Sequence, residues 1–263
     1  MKIGKYEIKH PIIQGGMGVG ISWDQLAGHV SLEGGLGVIS AVGTGYYKKL
    51  SPKVNIIMKK DKPKEVLNFY SKDALKEIFD NARKICGNLP LACNILYAIN
   101  DYGRVVRDAC EAGANIIITG AGIPTNMPEF TKNFPDVALV PIVSSARALK
   151  LICKKWQRYN KIPDAVIVEG PLSGGHQDCY KEEFQLENIV TPVIEEAKNW
   201  GDIPVIAAGG VWDKKDIDKF ISLGCAGVQM ATRFIGTNER DADAKCKDVL
   251  LNAKEEDIIL MSS

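Results

Sequence analysis

The sequence is short of several things, and each shortage argues against a class of function. It has three histidines (His10, His29 and His176), and its seven cysteines form no CxxC pair. No metal site with regularly spaced ligands is therefore written into it. No run is apolar enough to cross a bilayer. The start, Met1-Lys2-Ile3-Gly4-Lys5, leads into a turn and a strand rather than the apolar stretch of a signal peptide. An excess of one charge is missing too, with 33 Lys plus Arg against 32 Asp plus Glu and no polybasic run. Nucleic acid and membrane lipid are accordingly poor candidates for the main partner. Several cysteines sit in apolar, strand-like segments (Cys93, Cys225), and all are read as reduced, mostly packing residues of a cytoplasmic protein.

What is present has a rhythm. Short apolar runs recur at Pro11-Gln14, Leu36-Ala41, Leu91-Leu96, Asn115-Thr119, Ala138-Val143, Ala165-Glu169, Pro204-Ala208 and Gly227-Ala231. Solid Val/Ile/Leu/Ala blocks are what strands buried on both faces require. The intervening patterns predict helices at Ser22-Glu33, Ser71-Cys86, Gly103-Ala112, Ala146-Tyr159, Glu187-Trp200 and Asp213-Leu223. Ser71 and Asp213 read as starts, Gly34 and Gly224 as stops. Eight strand runs, most of them followed by a helix, in 263 residues fit a (β/α)8 TIM barrel, which takes roughly 250 residues, as a single domain over 1-263. A doubly wound open sheet is the competing reading of the same pattern. One βα connection is long, from Val42 to Pro90; its Gly43-Lys64 stretch reads either as a pocket wall or as a solvated insertion. Asp241-Lys254 reads as helical. The apolar Ile258-Met261 before the last two serines reads as either a truncation or a docked tail.

The chemistry gathers at the predicted C-terminal strand ends. The seventh run ends in Ala207-Ala208-Gly209-Gly210-Val211, and the eighth reads Gly227-Val228-Gln229-Met230-Ala231-Thr232-Arg233-Phe234. A glycine pair alone is a tight turn. Beside the amides of Ala231 and Thr232 and the Thr232 hydroxyl, it becomes a cradle for a phosphate. The sixth run ends in Glu169-Gly170-Pro171-Leu172-Ser173-Gly174-Gly175-His176. A histidine there reaches the substrate region, and its ordinary pKa of about 6.5 suits proton transfer. The first run leaves through Gln14-Gly15-Gly16-Met17-Gly18, which could lie against a flat ring. Asn94 is a polar residue within a buried strand and needs a partner, ligand or backbone.

Together these stretches resemble the nitronate monooxygenase family, formerly called 2-nitropropane dioxygenases, and the related flavin-dependent enoyl-acyl carrier protein reductases. Pro11-Gly18, Gly34-Gly37, Asn94, Glu169-His176, Ile203-Val211 and Gly227-Phe234 carry the likeness in family order. The resemblance implies non-covalent FMN, its phosphate held by Gly209, Gly210, Gln229, Met230, Ala231 and Thr232. It places Gly16, Met17, Asn94, Glu169, Gly174 and the neighbouring Gly175 around the cofactor, and makes His176 catalytic. The chain departs from the family's pattern at Ser173 and Asp178 around the histidine. It also lacks most of a helical lid domain that the family usually carries beyond the eighth strand.

The expected reaction is oxidation of a nitronate or nitroalkane with O2. The alternatives left open are an NAD(P)H-dependent enoyl-thioester or quinone reductase, a flavin-free phosphate-binding isomerase or aldolase, and a barrel that binds flavin without turnover. Against the aldolase stands the lack of a lysine at a strand end. Substrate and oligomeric state, a homo-oligomer included, stay open.

Overall fold

The computed structural model describes residues 1–47, 70–174, 185–254 and 257, with backbone alone for 244–247. An antiparallel hairpin, β1 (Lys2–Ile3) and β2 (Tyr6–Glu7), comes first. Eight strands follow: β3 (Ile12–Gln14), β4 (Gly37–Ser40), β5 (Leu91–Leu96), β6 (Ile116–Gly120), β7 (Ala138–Val143), β8 (Val166–Glu169), β9 (Val205–Ala208) and β10 (Gly227–Met230). They form one parallel sheet in the order β3-β10-β9-β8-β7-β6-β5-β4. A parallel bridge between Ile13 and Leu36 joins its two edges. The sheet is thus closed into the expected (β/α)8 barrel rather than an open doubly wound layer.

The seam between β3 and β4 is narrow. The Leu36 amide donates to the Ile12 carbonyl at 2.9 Å and the Gln14 amide to the Leu36 carbonyl at 3.0 Å. The fully buried Gln14 side chain reinforces it, its Oε1 accepting from the Val38 amide at 3.0 Å. A polar side chain inside a barrel is tolerated when its hydrogen bonds are made, as here.

Around the barrel run α1 (Asp24–Leu32), α2 (Lys72–Cys86), α3 (Tyr102–Ala112), α4 (Met127–Phe130), α5 (Ala146–Trp156), α6 (Leu186–Lys198), α7 (Lys214–Ser222), α8 (Thr232–Ile235) and α9 (Ala244–Asn252). Helix α2 shows why these segments are helical. Leu75, Ile78, Phe79 and Ala82 recur at the 3.6-residue period and all are buried. Ser71 caps it by accepting from the Ala74 amide at 3.2 Å. Asp213 caps α7 in a capping box with Asp216. Gly34 and Gly224 follow their helices with φ of +92° and +100°, a left-handed conformation that only glycine adopts without cost.

Alternation along each strand divides the apolar side chains into two layers. Val166, Val168, Val205, Ala207, Val228 and Met230 face outward and pack with the helices. Ile13, Val38, Ala92, Ile116, Ile118, Val140, Ile167 and Ile206 fill the barrel interior, where Ile3 and Ile8 of the hairpin region join them. The hairpin thus closes the N-terminal end. The described cysteines, Cys86, Cys93, Cys110, Cys153 and Cys225, are all buried and unbridged, in accord with a packing role. Burial pushes the Cys110 and Cys153 thiols up to about 12, so both stay protonated and unreactive at neutral pH. No helix among the described residues is long and apolar enough to cross a membrane.

Candidate active site

Two residues above each apolar interior position, at the C-terminal end of the strands, the chemistry changes. Asn94 follows Ala92, Glu169 follows Ile167 and Ser40 follows Val38 at the two-residue period of a strand. On β10, Val228 and Met230 face outward, so Gln229 between them faces in. A barrel held together by apolar layers thus ends in a ring of carboxamide, carboxylate and hydroxyl groups. Their partners decide whether that ring is structural.

Asn94 answers most directly. The residue is 8% exposed, its carbonyl accepts from the Ala41 amide at 3.0 Å, and its side-chain amide has no hydrogen-bond partner among the described residues. Its amide atoms are not wholly sealed from solvent, so they stand open to a ligand at the mouth.

The turn leaving β3 lies directly against it. A Cβ on Gly16 would collide with the Asn94 side chain, and one on Gly15 would stand 3.1 Å from the Ala231 Cβ. Gly15 and Gly16 are therefore glycine because the turn must seat between β5 and β10. The Met17 amide donates to the Ser22 hydroxyl at 2.8 Å, and the Ser22 carbonyl accepts from the Ser40 amide at 3.0 Å. Ser22, expected inside the first helix, instead anchors this turn, and α1 begins two residues later at Asp24.

Across the mouth, Gly209 and Gly210 have φ of +101° and +74°. Positive φ at both positions is a conformation that glycine adopts at no steric cost. The space is close: Cβ atoms there would stand 2.9 Å from the Ser173 amide nitrogen and 3.0 Å from Leu172. Glu169 pairs in register with Ala208, and Gln229 with both Ala208 and Ile13. The two halves of the expected cradle are therefore adjacent. Ala231 stands at the N-cap of α8 and Thr232 opens it.

Met230 is the exception. Its side chain is buried in the outer layer, so only its backbone is available to the mouth. Gly174 is the last described residue of the β8 loop, and a Cβ there would meet nothing within 4 Å. Gly175, His176 and Asp178 lie outside the described residues, as does residue range 48–69 of the long connection.

Sequence reasoning passed over Arg233 and Asp241. The Arg233 guanidinium stacks 5.2 Å over the Trp212 ring and donates to the Trp212 carbonyl at 2.9 Å. A cation is thereby held on Trp212, two residues past the glycine pair; its place after Thr232 in the β10 motif was the available signal. Asp241 caps α1 from the far end of the sequence, and no local pattern announces it.

Known proteins resemble this chain in sequence and in fold. Probable nitronate monooxygenases of Staphylococcus aureus and Staphylococcus saprophyticus are 26% and 28% identical, over 96% and 98% of this chain. This chain spans 72% and 74% of their lengths. Among solved structures, FabK from Thermotoga maritima superposes with a TM-score of 0.71 at 27% identity, covering 94% of this chain. The chain spans 65% of that structure's length, just under two thirds. A nitroalkane oxidase from Streptomyces ansochromogenes shares the fold, with a TM-score of 0.65 at 20% identity. That match covers 91% of this chain and 70% of the oxidase. The family model for nitronate monooxygenase matches residues 1–263, and the chain belongs to that family.

Proposed function

We propose that this barrel binds FMN at its C-terminal mouth and oxidises alkyl nitronates with O2. The observation that carries the reading is Asn94, buried at the mouth with its side-chain amide unpartnered among the described residues. The rest of the mouth fits the same ligand. Glycine at 15 and 16 lets the turn close on Asn94 and Ala231, beside which a flat ring would lie, and the Gly209-Gly210 pair suits a phosphate. When bound, the flavin supplies the electron-accepting chemistry, for which the protein provides orientation and electrostatics.

The chain's own residues then divide the work. The Asn94 and Gln229 amides each offer a donor and an acceptor to a heteroaromatic edge. Gly209, Gly210, Ala231 and Thr232 hold the phosphate, with Arg233 adding charge beside them. His176, assigned by its place in the sequence after Gly174-Gly175, takes the α-proton of a neutral nitroalkane on an imidazole nitrogen. When the substrate arrives as the nitronate anion, the same side chain positions it. The fold as one catalytic unit across 1-263 belongs to this reading as well.

The likeness to FabK favours a second reading, an enoyl-thioester reductase fed by NAD(P)H. Both reactions use the residues named above, so the separation is functional. The purified protein's visible spectrum should show bound flavin. Anaerobic nitronate should bleach it or shift it to a one-electron-reduced form, with little response to NADPH. Rapid reduction by NADPH and reoxidation by an enoyl thioester would replace the first reading with the second. A colourless protein that takes up no FMN would overturn both.

A further inference from the structure

Helix α1 begins without a cap of its own. Trp23 holds the N-cap position and makes no side-chain capping bond, although the first amides of any helix lack partners within it. The partner comes from beyond the last barrel strand. Asp241 Oδ2 accepts from the Trp23 amide at 2.7 Å and the Leu26 amide at 3.2 Å, and Oδ1 from the Gln25 amide at 2.9 Å. In return the Asp241 amide donates to the Ile21 carbonyl at 3.2 Å. Both flanks of Ser22 are thus gripped, and Ser22 is the residue that holds Met17 and, through it, the turn lying on Asn94.

We propose that Asp241 is a positioning residue for the cofactor site, capping α1 across the fold and so fixing the Gly15–Ser22 turn against Asn94. The inference rests on the reading above that this turn faces the flavin. The helix N-terminus and the three amide donors favour the carboxylate, while burial, the larger influence, favours the protonated acid.

The environment gives the residue a signature of its own. Burial pushes the Asp241 carboxyl up to about 6; the Gln25, Trp23 and Leu26 amides pull it down, and the negative charge of Asp24 adds to the rise. The titratable groups around it are Asp24 of α1, the Tyr47 hydroxyl bonded to Asp24 at 3.0 Å, and Arg240 and Asp243 in its own segment. An acid that binds its proton more tightly in the fold stabilises most at low pH. That contribution is full below about 4, the unfolded value, and is lost as the pH rises through about 6.

The test compares wild type, Asp241→Ala and Asp241→Asn. Without flavin, hydrogen exchange at the Trp23, Gln25 and Leu26 amides and through residues 17–22 should quicken about tenfold or more in Asp241→Ala. Exchange in α5, on another side of the barrel, should stay unchanged. FMN affinity, measured by flavin fluorescence, should fall in step and return in part with Asn, which keeps one acceptor oxygen. The melting-temperature gap between wild type and Asp241→Asn should shrink as the pH rises from about 4 to about 6.

Unchanged exchange at those amides overturns the proposal, and so does an equal loss of protection in α5. If the Ala variant does not fold, the Asn variant decides by its exchange and pH profile. A wild type that binds no FMN defeats the functional reading, while the exchange measurement still decides on the clasp.

Discussion

The two ends of this barrel are built from the same strands and obey different rules. At the N-terminal end Ile3, Ile8, Ile116, Ile167 and Ile206 interdigitate in a dry plug, most of them fully buried. At the C-terminal end β5, β8 and β10 present Asn94, Glu169 and Gln229, with the Asn94 and Gln229 carboxamides unpartnered among the described residues. One end is optimised for stability; the other keeps hydrogen-bonding groups open. A single fold thus separates the work of holding together from the work of binding, as parallel barrels generally do.

Substitutions can break that separation or sharpen it. The largest effect is expected from Gly16→Val. The branched side chain must displace Asn94 or the turn itself, and FMN affinity should drop by about 100-fold, roughly 2.7 kcal/mol, in a fluorescence titration. Retained affinity would show that the Gly15–Ser22 turn does not line the cofactor. Next comes Ile167→Ala in the plug. It should cost about 2–5 kcal/mol in chemical denaturation while leaving flavin affinity per folded molecule within about twofold (~0.4 kcal/mol).

The smallest and most discriminating change is Asn94→Leu. Removing an amide that has no hydrogen-bond partner among the described residues should leave denaturation stability nearly equal. Affinity for FMN should fall about tenfold, or ~1.4 kcal/mol. A loss of stability with intact affinity would assign Asn94 to the structural end after all.

How much of this was legible in the sequence follows from how locally each feature is encoded. Leu91–Leu96 and Ala138–Val143 form the strands their apolar runs predict, residue for residue. Ser71 and Asp213 cap the helices they precede because a cap acts within three residues. The strands β1 and β2 have two residues each and the helices α4 and α8 four, too few for a period to register. Asn94 stood out as a polar residue inside an apolar run, and Glu169 as one ending its run. Met230 did not reveal that it faces outward, because β10 reads the same from both sides until its neighbours are known. The α1 cap was wholly hidden, its donor and acceptor lying 218 positions apart.

The narrow seam at β3 also has a consequence in time. On one side β3 is tied to β4 by a single bridged pair, and on the other it waits for β10, which pairs Val228 with Ile12. Contacts so distant along the chain are slow to form because the intervening loop must be closed first. During synthesis the plug and the middle staves can settle while β3 is still poorly moored. The arrival of β10, followed by Asp241, both shuts the cylinder and seats the glycine turn on Asn94. The binding end is therefore complete only when β10 and Asp241 are in place.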